Sequence, residues 1–400
     1  MPAVYDLSRA ELDQLLAGWG EPPYRARQVW EGLHRQLAPI EELTALPVSL
    51  RRRLADELHP SLALVVERTS DQGETIKWLW QLDGGATVET VLMRYPGRDT
   101  VCVSSQAGCA MACGFCATGQ AGFERHLTPG EIVEQVVVAL RHSRSPAGDQ
   151  GSSSKRPTAG EGSASDEPDV SRRASARRRT MNIVFMGMGE PFANYDSTWA
   201  AVERLHDDVG IGARNITIST VGILPGIRRL TSERLPVNLA VSLHAATDEL
   251  RDQLVPINRR YPVADLEAAC AAYLRARGRR LSFEWALIDG VNDGADQAGA
   301  LADLCRRLPL PAHVNVIPLN PTPGYPVRGT PPAGVHAFRD RLRQRGVNVT
   351  VRRTRGVDIE AACGQLRAAH EARSIAAPIR RPVAPRRNRD QRTSTVRPSP

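Results

Sequence analysis

The sequence predicts an α/β chain: an incomplete (βα)6 barrel, preceded by a small N-terminal helical domain and a β-hairpin extension. Three observations predict it. The N-terminal stretch up to His59 spaces its apolar residues as helices do. From Thr75 the period falls to the alternation of strands. Beyond Thr180, short apolar strands alternate with helical stretches, which implies a parallel sheet with helices outside it.

In order, LSRAELDQLLAGWG begins a helix at a Ser8 cap with Glu11 three residues on, and ends at a glycine. RARQVWEGLHRQ and SLRRRLADELH follow as further helices. This segment presents Arg25, Arg27 and Arg51 to Arg53, yet its own net charge is acidic. The basic residues are either RNA contacts or solvated helix faces. TIKWLWQL, TVETVLMRY and TVCVSSQ read as strands that feed a cysteine-rich loop. MNIVFMG, NITIST, VNLAVSL, LSFEWALI, HVNVIPL and NVTVRRT are the later strands, with helices between them. In such barrels the chemistry sits at the C-terminal ends of the strands.

The expected domains are 1–70, helical and RNA-binding; 71–142, the strand extension and the start of the barrel with the cysteine loop; and 181–370, the rest of the barrel with its C-terminal segment. Residues 143–180 and 371–400 are rich in small, polar and charged residues and read as a disordered insertion and a basic disordered tail. They also account for the net charge of +8. The tail holds eight arginines against Glu371 and Asp390, the insertion eight Lys/Arg against five Asp/Glu; together they carry +9 and leave the rest at −1. A global nucleic-acid field is therefore not implied, only local patches. No apolar run approaches a membrane span, and no signal peptide opens the chain. Seven cysteines, three of them clustered, do not form a secreted disulfide framework, and a reducing cytoplasm is the expected location.

The clustered cysteines are Cys109, Cys113 and Cys116, in GCAMACGFCATG. Their C-x3-C-x2-C spacing can hold three irons of a 4Fe–4S cluster and leave the fourth open to chelate a substrate; it resembles the radical-SAM signature, which implies that the substrate is S-adenosylmethionine (SAM). A structural zinc loop is the alternative. Zinc wants four closed ligands, and His126 is the nearby candidate for a fourth. Other strand ends carry polar groups: Gly187, Gly189 and Glu190 in MGMGEP, Ser219 in ITIST, Ser242, Leu243 and His244 in VSLHA, and Asn320 in IPLNP. Glycines let backbone approach a ligand closely. Cys102 lies on the strand before the loop, and Cys363 lies past the last strand; Cys270 and Cys305 read as buried apolar residues within helices.

With QAGCAMACGFCATG, MGMGEP, SLHA, IPLNP and RGVDIEAACGQL, residues 16–366 resemble the radical-SAM RNA methyltransferases, specifically the dual-specificity enzymes that methylate adenine C2 in 23S ribosomal RNA and in some tRNAs. The resemblance implies a radical-SAM barrel with a 4Fe–4S cluster on Cys109, Cys113 and Cys116, and two SAM per turnover. It places SAM against Gly189, Glu190, Ser219, Ser242, Leu243, His244 and Asn320. It also implies that Cys363 becomes an S-methylcysteine, that Glu89 accepts the C2 proton, and that Cys102 resolves the adduct through a transient disulfide with Cys363. A carrier is needed because adenine C2 is neither acidic nor nucleophilic, so polar methyl transfer from SAM fails there. The implied partners are 23S rRNA before full ribosome assembly, tRNA and an electron donor such as flavodoxin, with the chain a monomer and no membrane. Three alternatives stand beside this: the related enzymes that methylate adenine C8, a non-catalytic RNA-binding protein with a structural metal, and an activase that makes a glycyl radical on a partner. The paired Cys102 and Cys363 speak against the last two, which do not require them.

Overall fold

Local capping starts the fold as expected. In the computed structural model, helix α1 (Arg9–Gly18) opens on the capping box of Ser8 and Glu11, each bonding the other's backbone N–H. The structure describes residues 1–144 and 179–366, except positions 321, 323, 326, 353, 354 and 363. Cys363, nearly all of the insertion and the 371–400 tail therefore lie outside the described residues. The insertion's described ends belong to regular elements, Ser143 to a helix and Thr180 to a strand.

Helices α2 (Pro23–Glu31) and α3 (Val48–Glu57) complete the N-terminal segment. The strands are β1 (Ala63–Ser70), β2 (Thr75–Gln81), β3 (Thr87–Tyr95), β4 (Arg98–Cys102), β5 (Gln106–Gly108), β6 (Phe123–His126), β7 (Thr180–Phe185), β8 (Ile216–Thr220), β9 (Asn238–Ser242), β10 (Leu281–Leu287), β11 (His313–Pro318) and β12 (Asn348–Val351). The later helices are α4 (Ala117–Ala121), α5 (Pro129–Arg144), α6 (Tyr195–Arg204), α7 (Leu224–Ser232), α8 (Asp248–Leu254), α9 (Val263–Arg277), α10 (Ala295–Arg307) and α11 (Pro332–Gln344).

One sheet runs β1-β2-β3-β4-β7-β8-β9-β10-β11-β12. Its first four strands pair antiparallel, and from β4 to β12 every pairing is parallel. Six strand–helix units thus run from β4 to α11, and β12 closes the series. The barrel is incomplete, since β1 and β12 are the sheet's two edges. β5 and β6 form a separate small hairpin.

The sequence reading does not name several elements, among them β1, β6 and the short helices α4 and α8. Strands begin at Ala63, not Thr75, because β1 pairs only with β2 and leaves seven of its eight residues exposed, so it carries no alternating pattern. Helix α8 is a short, charged run, DELRDQL, without an apolar stripe.

Fully buried Trp78, Phe185, Phe283, Trp285 and Phe338 mark a core shared by sheet and helices. Each such side chain contributes about 1.5–3 kcal/mol on burial. The N-terminal helices dock on the same body. Asp6 accepts from the Gly130 N–H (2.9 Å), Trp30 Nε1 donates to Asp208 (3.0 Å), and Arg141 donates to the Leu37 carbonyl and the Tyr5 hydroxyl. Glu134 on α5 accepts from the Ser61 N–H at 2.7 Å.

Candidate active site

The cysteine loop is wound tightly by its glycines. Gly108 has φ +73°, and a Cβ there would sit 2.0 Å from the Gly122 carbonyl oxygen. The Cys109 N–H donates to that same oxygen at 2.6 Å, and the Cys116 N–H donates to the Cys113 carbonyl at 3.1 Å. Gly119 packs on the Cys113 backbone, where a Cβ would meet oxygen at 2.9 Å. Ala112 takes left-handed φ +54°, a strained position for an L-residue, inside the same loop.

All three thiols line one pocket at the C-terminal ends of the barrel strands. Among the described residues, no three His, Cys, Asp or Glu side chains converge closely enough to share a single metal ion. Three cysteine thiols on one pocket are the soft donor set that iron–sulfur clusters take. Burial pushes the Cys109 thiol up to about 12 and Cys113 well above its usual value, so ligation would have to remove their protons. The donor set and its setting fit a 4Fe–4S cluster.

Across the pocket lies the MGMGEP turn after β7. A Cβ on Gly187 would meet the Val103 carbonyl oxygen at 2.6 Å, and Gly189 at φ +98° presses on Gln106. Glu190 is buried, accepts from the Phe192 N–H (3.0 Å) and the Val221 N–H (2.9 Å), and is pushed up to about 7 by burial. A carboxylate so placed gains from an ammonium ligand, which would offset its desolvation. Ser219, Ser242, His244 and Asn320 line the same pocket. His244 has φ +60°, and its Nδ1 accepts from the Ala286 N–H at 2.9 Å, which leaves Nε2–H as the donor. Burial, then nearby Arg251, lowers His244 to about 3, so the ring is neutral. Leu243 differs from the others: its side chain is fully buried in the main core, and only its backbone serves the turn, through an N–H bond to the Glu284 carbonyl (3.1 Å).

A second cavity of about 730 Å³ fills the barrel interior beside the pocket, with both apolar and polar side chains in its walls. Cys102, buried at the end of β4, lines it, and so do Ala361, Ala362 and Leu366. Gly364 lines the pocket of the three thiols, and its carbonyl accepts from the Ala117 N–H at 2.8 Å. The neighbours of position 363 thus face both cavities. Glu89 sits on β3 outside either lining, buried and ion-paired with Lys77 at 3.0 Å, not solvated. Cys270 and Cys305 are buried within α9 and α10 as expected.

Three residues escaped the sequence reading. Glu284 lines both cavities and accepts from Ser282 (3.0 Å) and Asn315 (2.8 Å). Arg251, fully buried on α8, binds the turns after β8 and β9. Lys77 partners Glu89. The sequence offered one weak signal, a charged residue within otherwise apolar strands at Lys77 and Glu284.

No helix among the described residues is long and apolar enough to cross a membrane. Residues 3–59 match the family model described as the ribosomal RNA large subunit methyltransferase N-terminal domain. The chain is 52% identical over 388 residues to the "Probable dual-specificity RNA methyltransferase RlmN" of Roseiflexus castenholzii, covering 92% of this chain and 96% of that one. It is 48% identical over 376 residues to the "Dual-specificity RNA methyltransferase RlmN 1" of Myxococcus xanthus, covering 93% and 96%. The crystal structure of a radical SAM methyltransferase from Sphaerobacter thermophilus superposes with a TM-score of 0.80 at 49% identity, covering 92% of this chain and all of that one. With relatives this similar over nearly the whole length, the chain belongs to the RlmN family of dual-specificity RNA methyltransferases, and it is a radical-SAM RNA methyltransferase.

Proposed function

We propose that the chain methylates C2 of an adenine in the peptidyl-transferase centre of 23S rRNA and of an anticodon-adjacent adenine in some tRNAs, with Cys363 as methyl carrier. The observation that carries this is the placement of the residues around position 363. Ala362 borders the cavity lined by Cys102, and Gly364 borders the pocket lined by Cys109, Cys113 and Cys116.

When bound, the cluster and SAM supply the radical that takes a hydrogen atom from the carrier's methyl group. The chain's own residues do the rest. Cys109, Cys113 and Cys116 hold the cluster. Glu190 accepts from the SAM ammonium, with Gly189 letting the backbone approach it. Ser219, Ser242, His244 and Asn320 orient the remainder of SAM, His244 as a neutral donor through Nε2. Cys363 carries the methyl group to adenine C2, and Glu89 receives the proton that C2 loses. Cys102, as thiolate, attacks the sulfur of Cys363; an S–S bond forms as the S–CH2 bond breaks, and the carbon on adenine C2 keeps the bonding pair and takes a proton to become the methyl group. The N-terminal helices and their arginines face the RNA, and an electron donor such as flavodoxin serves the cluster.

The test is mass spectrometry of nucleosides from 23S rRNA and tRNA after anaerobic incubation with reconstituted enzyme, SAM and reductant. The expected product is 2-methyladenosine in both RNAs. An 8-methyladenosine product would overturn the assignment to C2, and unmodified RNA the whole proposal.

A further inference from the structure

We propose that Lys77 is a positioning residue of the reaction, whose ammonium holds the Glu89 carboxylate ready for the C2 proton and ties the segment bearing Cys363 beside it. The inference rests on the roles proposed above for Glu89 and Cys363.

Strand register sets the first half. Glu89 stands opposite Leu79, and Val91 stands between Lys77 on one side and Cys102 on the other. Side chains alternate along a strand, so Lys77, Glu89 and Cys102 project from the same face of the sheet. Lys77 Nζ lies 3.0 Å from Glu89 Oε1, with both side chains 6% exposed. A buried ion pair is a poor way to stabilise a sheet, since apolar replacements often do as well. Its use here is to place an ionised carboxylate where water is excluded.

The second half is a contact across the fold. Lys77 Nζ also donates to the Glu360 carbonyl at 3.2 Å, three residues before Cys363. Glu360 adopts φ +53°, so this carbonyl is aimed by a turn that L-residues disfavour. The β1–β2 connection holds the same segment further upstream. Asp71 accepts from the Gly356 N–H (3.1 Å), Glu74 accepts from Arg355 (2.7 Å), and Ser70 donates to Asp358. Lys77 joins this anchorage to the proton acceptor. In the step concerned, the C2–H bond of the adduct radical breaks, the proton goes to a Glu89 carboxylate oxygen, the bonding pair stays with the purine ring, and the one excess electron passes to a one-electron acceptor, which the bound iron–sulfur cluster would supply. Lys77 fixes where the acceptor stands.

The experiment compares wild type, Lys77→Met, Lys77→Gln and Lys77→Arg as anaerobically reconstituted enzymes. The RNA substrate carries either hydrogen or deuterium at adenine C2. Cluster content, methylation of Cys363, covalent enzyme–RNA adduct and 2-methyladenosine are measured in each. Lys77→Met leaves a buried carboxylate without this cation. Lys77→Gln is therefore measured alongside it, since it retains a donor for Glu360 and keeps the question answerable if the methionine variant does not fold. The expected result is normal cluster content and normal methyl loading. Product falls by about 10- to 100-fold, which is within the range of general acid–base contributions. Adduct accumulates, the deuterium effect on product rises, and Lys77→Arg recovers part of the rate. Wild-type rates and an unchanged isotope effect in Lys77→Gln would overturn the role. So would parallel losses of cluster, methyl loading and product, which mark a merely structural lysine. Absence of 2-methyladenosine from the wild type itself is a separate outcome and counts against the proposed function instead.

Discussion

Arg251 Nε donates to the Leu243 carbonyl at 3.0 Å, and its Nη2 reaches the Val221 and Ser242 carbonyls at 2.6 and 3.3 Å. One buried guanidinium thus ties together the ends of β8 and β9, the two turns that present Ser219 and His244 to the pocket. Its remaining amine, Nη1, donates to Asn258 at 2.7 Å. Burial lowers Arg251 to about 10, which still leaves it charged at neutral pH.

Replacing Arg251 with Met should leave three backbone carbonyls without this donor. A stability loss of about 2–4 kcal/mol is expected, from buried hydrogen bonds left unmade. Arg251→Lys should recover little, because an ammonium cannot span three carbonyls in a fork. Chemical denaturation and SAM titration of the folded variants check this. SAM affinity should fall about tenfold, a loss of about 1.4 kcal/mol. Unchanged affinity would separate Arg251 from the pocket.

The three loop cysteines should hold the cluster together. Wild-type protein reconstituted without oxygen is expected to carry one 4Fe–4S cluster, and the variant with Ala at 109, 113 and 116 should carry none. Iron and acid-labile sulfide analysis decides it. A full complement in the triple variant would sink the assignment.

Cys363 and Cys102 should divide the labour. Cys363→Ala should abolish both methyl loading and product. Cys102→Ala should leave loading and carbon transfer intact but block release, so that RNA stays covalently attached. The double variant should show no attachment, since the linking sulfur is gone. Denaturing gels of enzyme from cells, with and without ribonuclease, read this out. If soluble, cluster-loaded Cys102→Ala shows no RNA-dependent shift, the resolving role is wrong.

Stability should fall with rising pH through Glu134. Burial raises this carboxyl from its usual 4.5 to about 7, outweighing the bond from the Ser61 N–H. Between those values the folded chain holds a proton that the unfolded chain has released. Stability therefore declines as pH rises through that window and levels off above about 7. Glu134→Gln removes the effect. It should gain up to about 3 kcal/mol over wild type at pH 8 and little at pH 5. Denaturation of both proteins at the two pH values checks it, and a gap independent of pH would contradict it.

Much of this protein is local, and what is local was legible in the sequence. The C-x3-C-x2-C loop is a single turn of chain whose ligand spacing is its own signature. Ser8 and Glu11 cap a helix across three residues, and short apolar runs such as LSFEWAL marked barrel strands because the inner strands are buried within the sheet. Glu190, Ser219, His244 and Asn320 could be named because strand ends in such barrels converge on one mouth. The tertiary structure alone decided the rest. β1 was hidden because an exposed edge strand has no buried face to impose a pattern. The bonds from Lys77 to Glu360 and from Arg251 to Val221 join residues 283 and 30 positions apart. Such partners meet only when sheet register and helix packing bring them together. A charged side chain at either position is sterically and chemically open to many partners until the fold selects one.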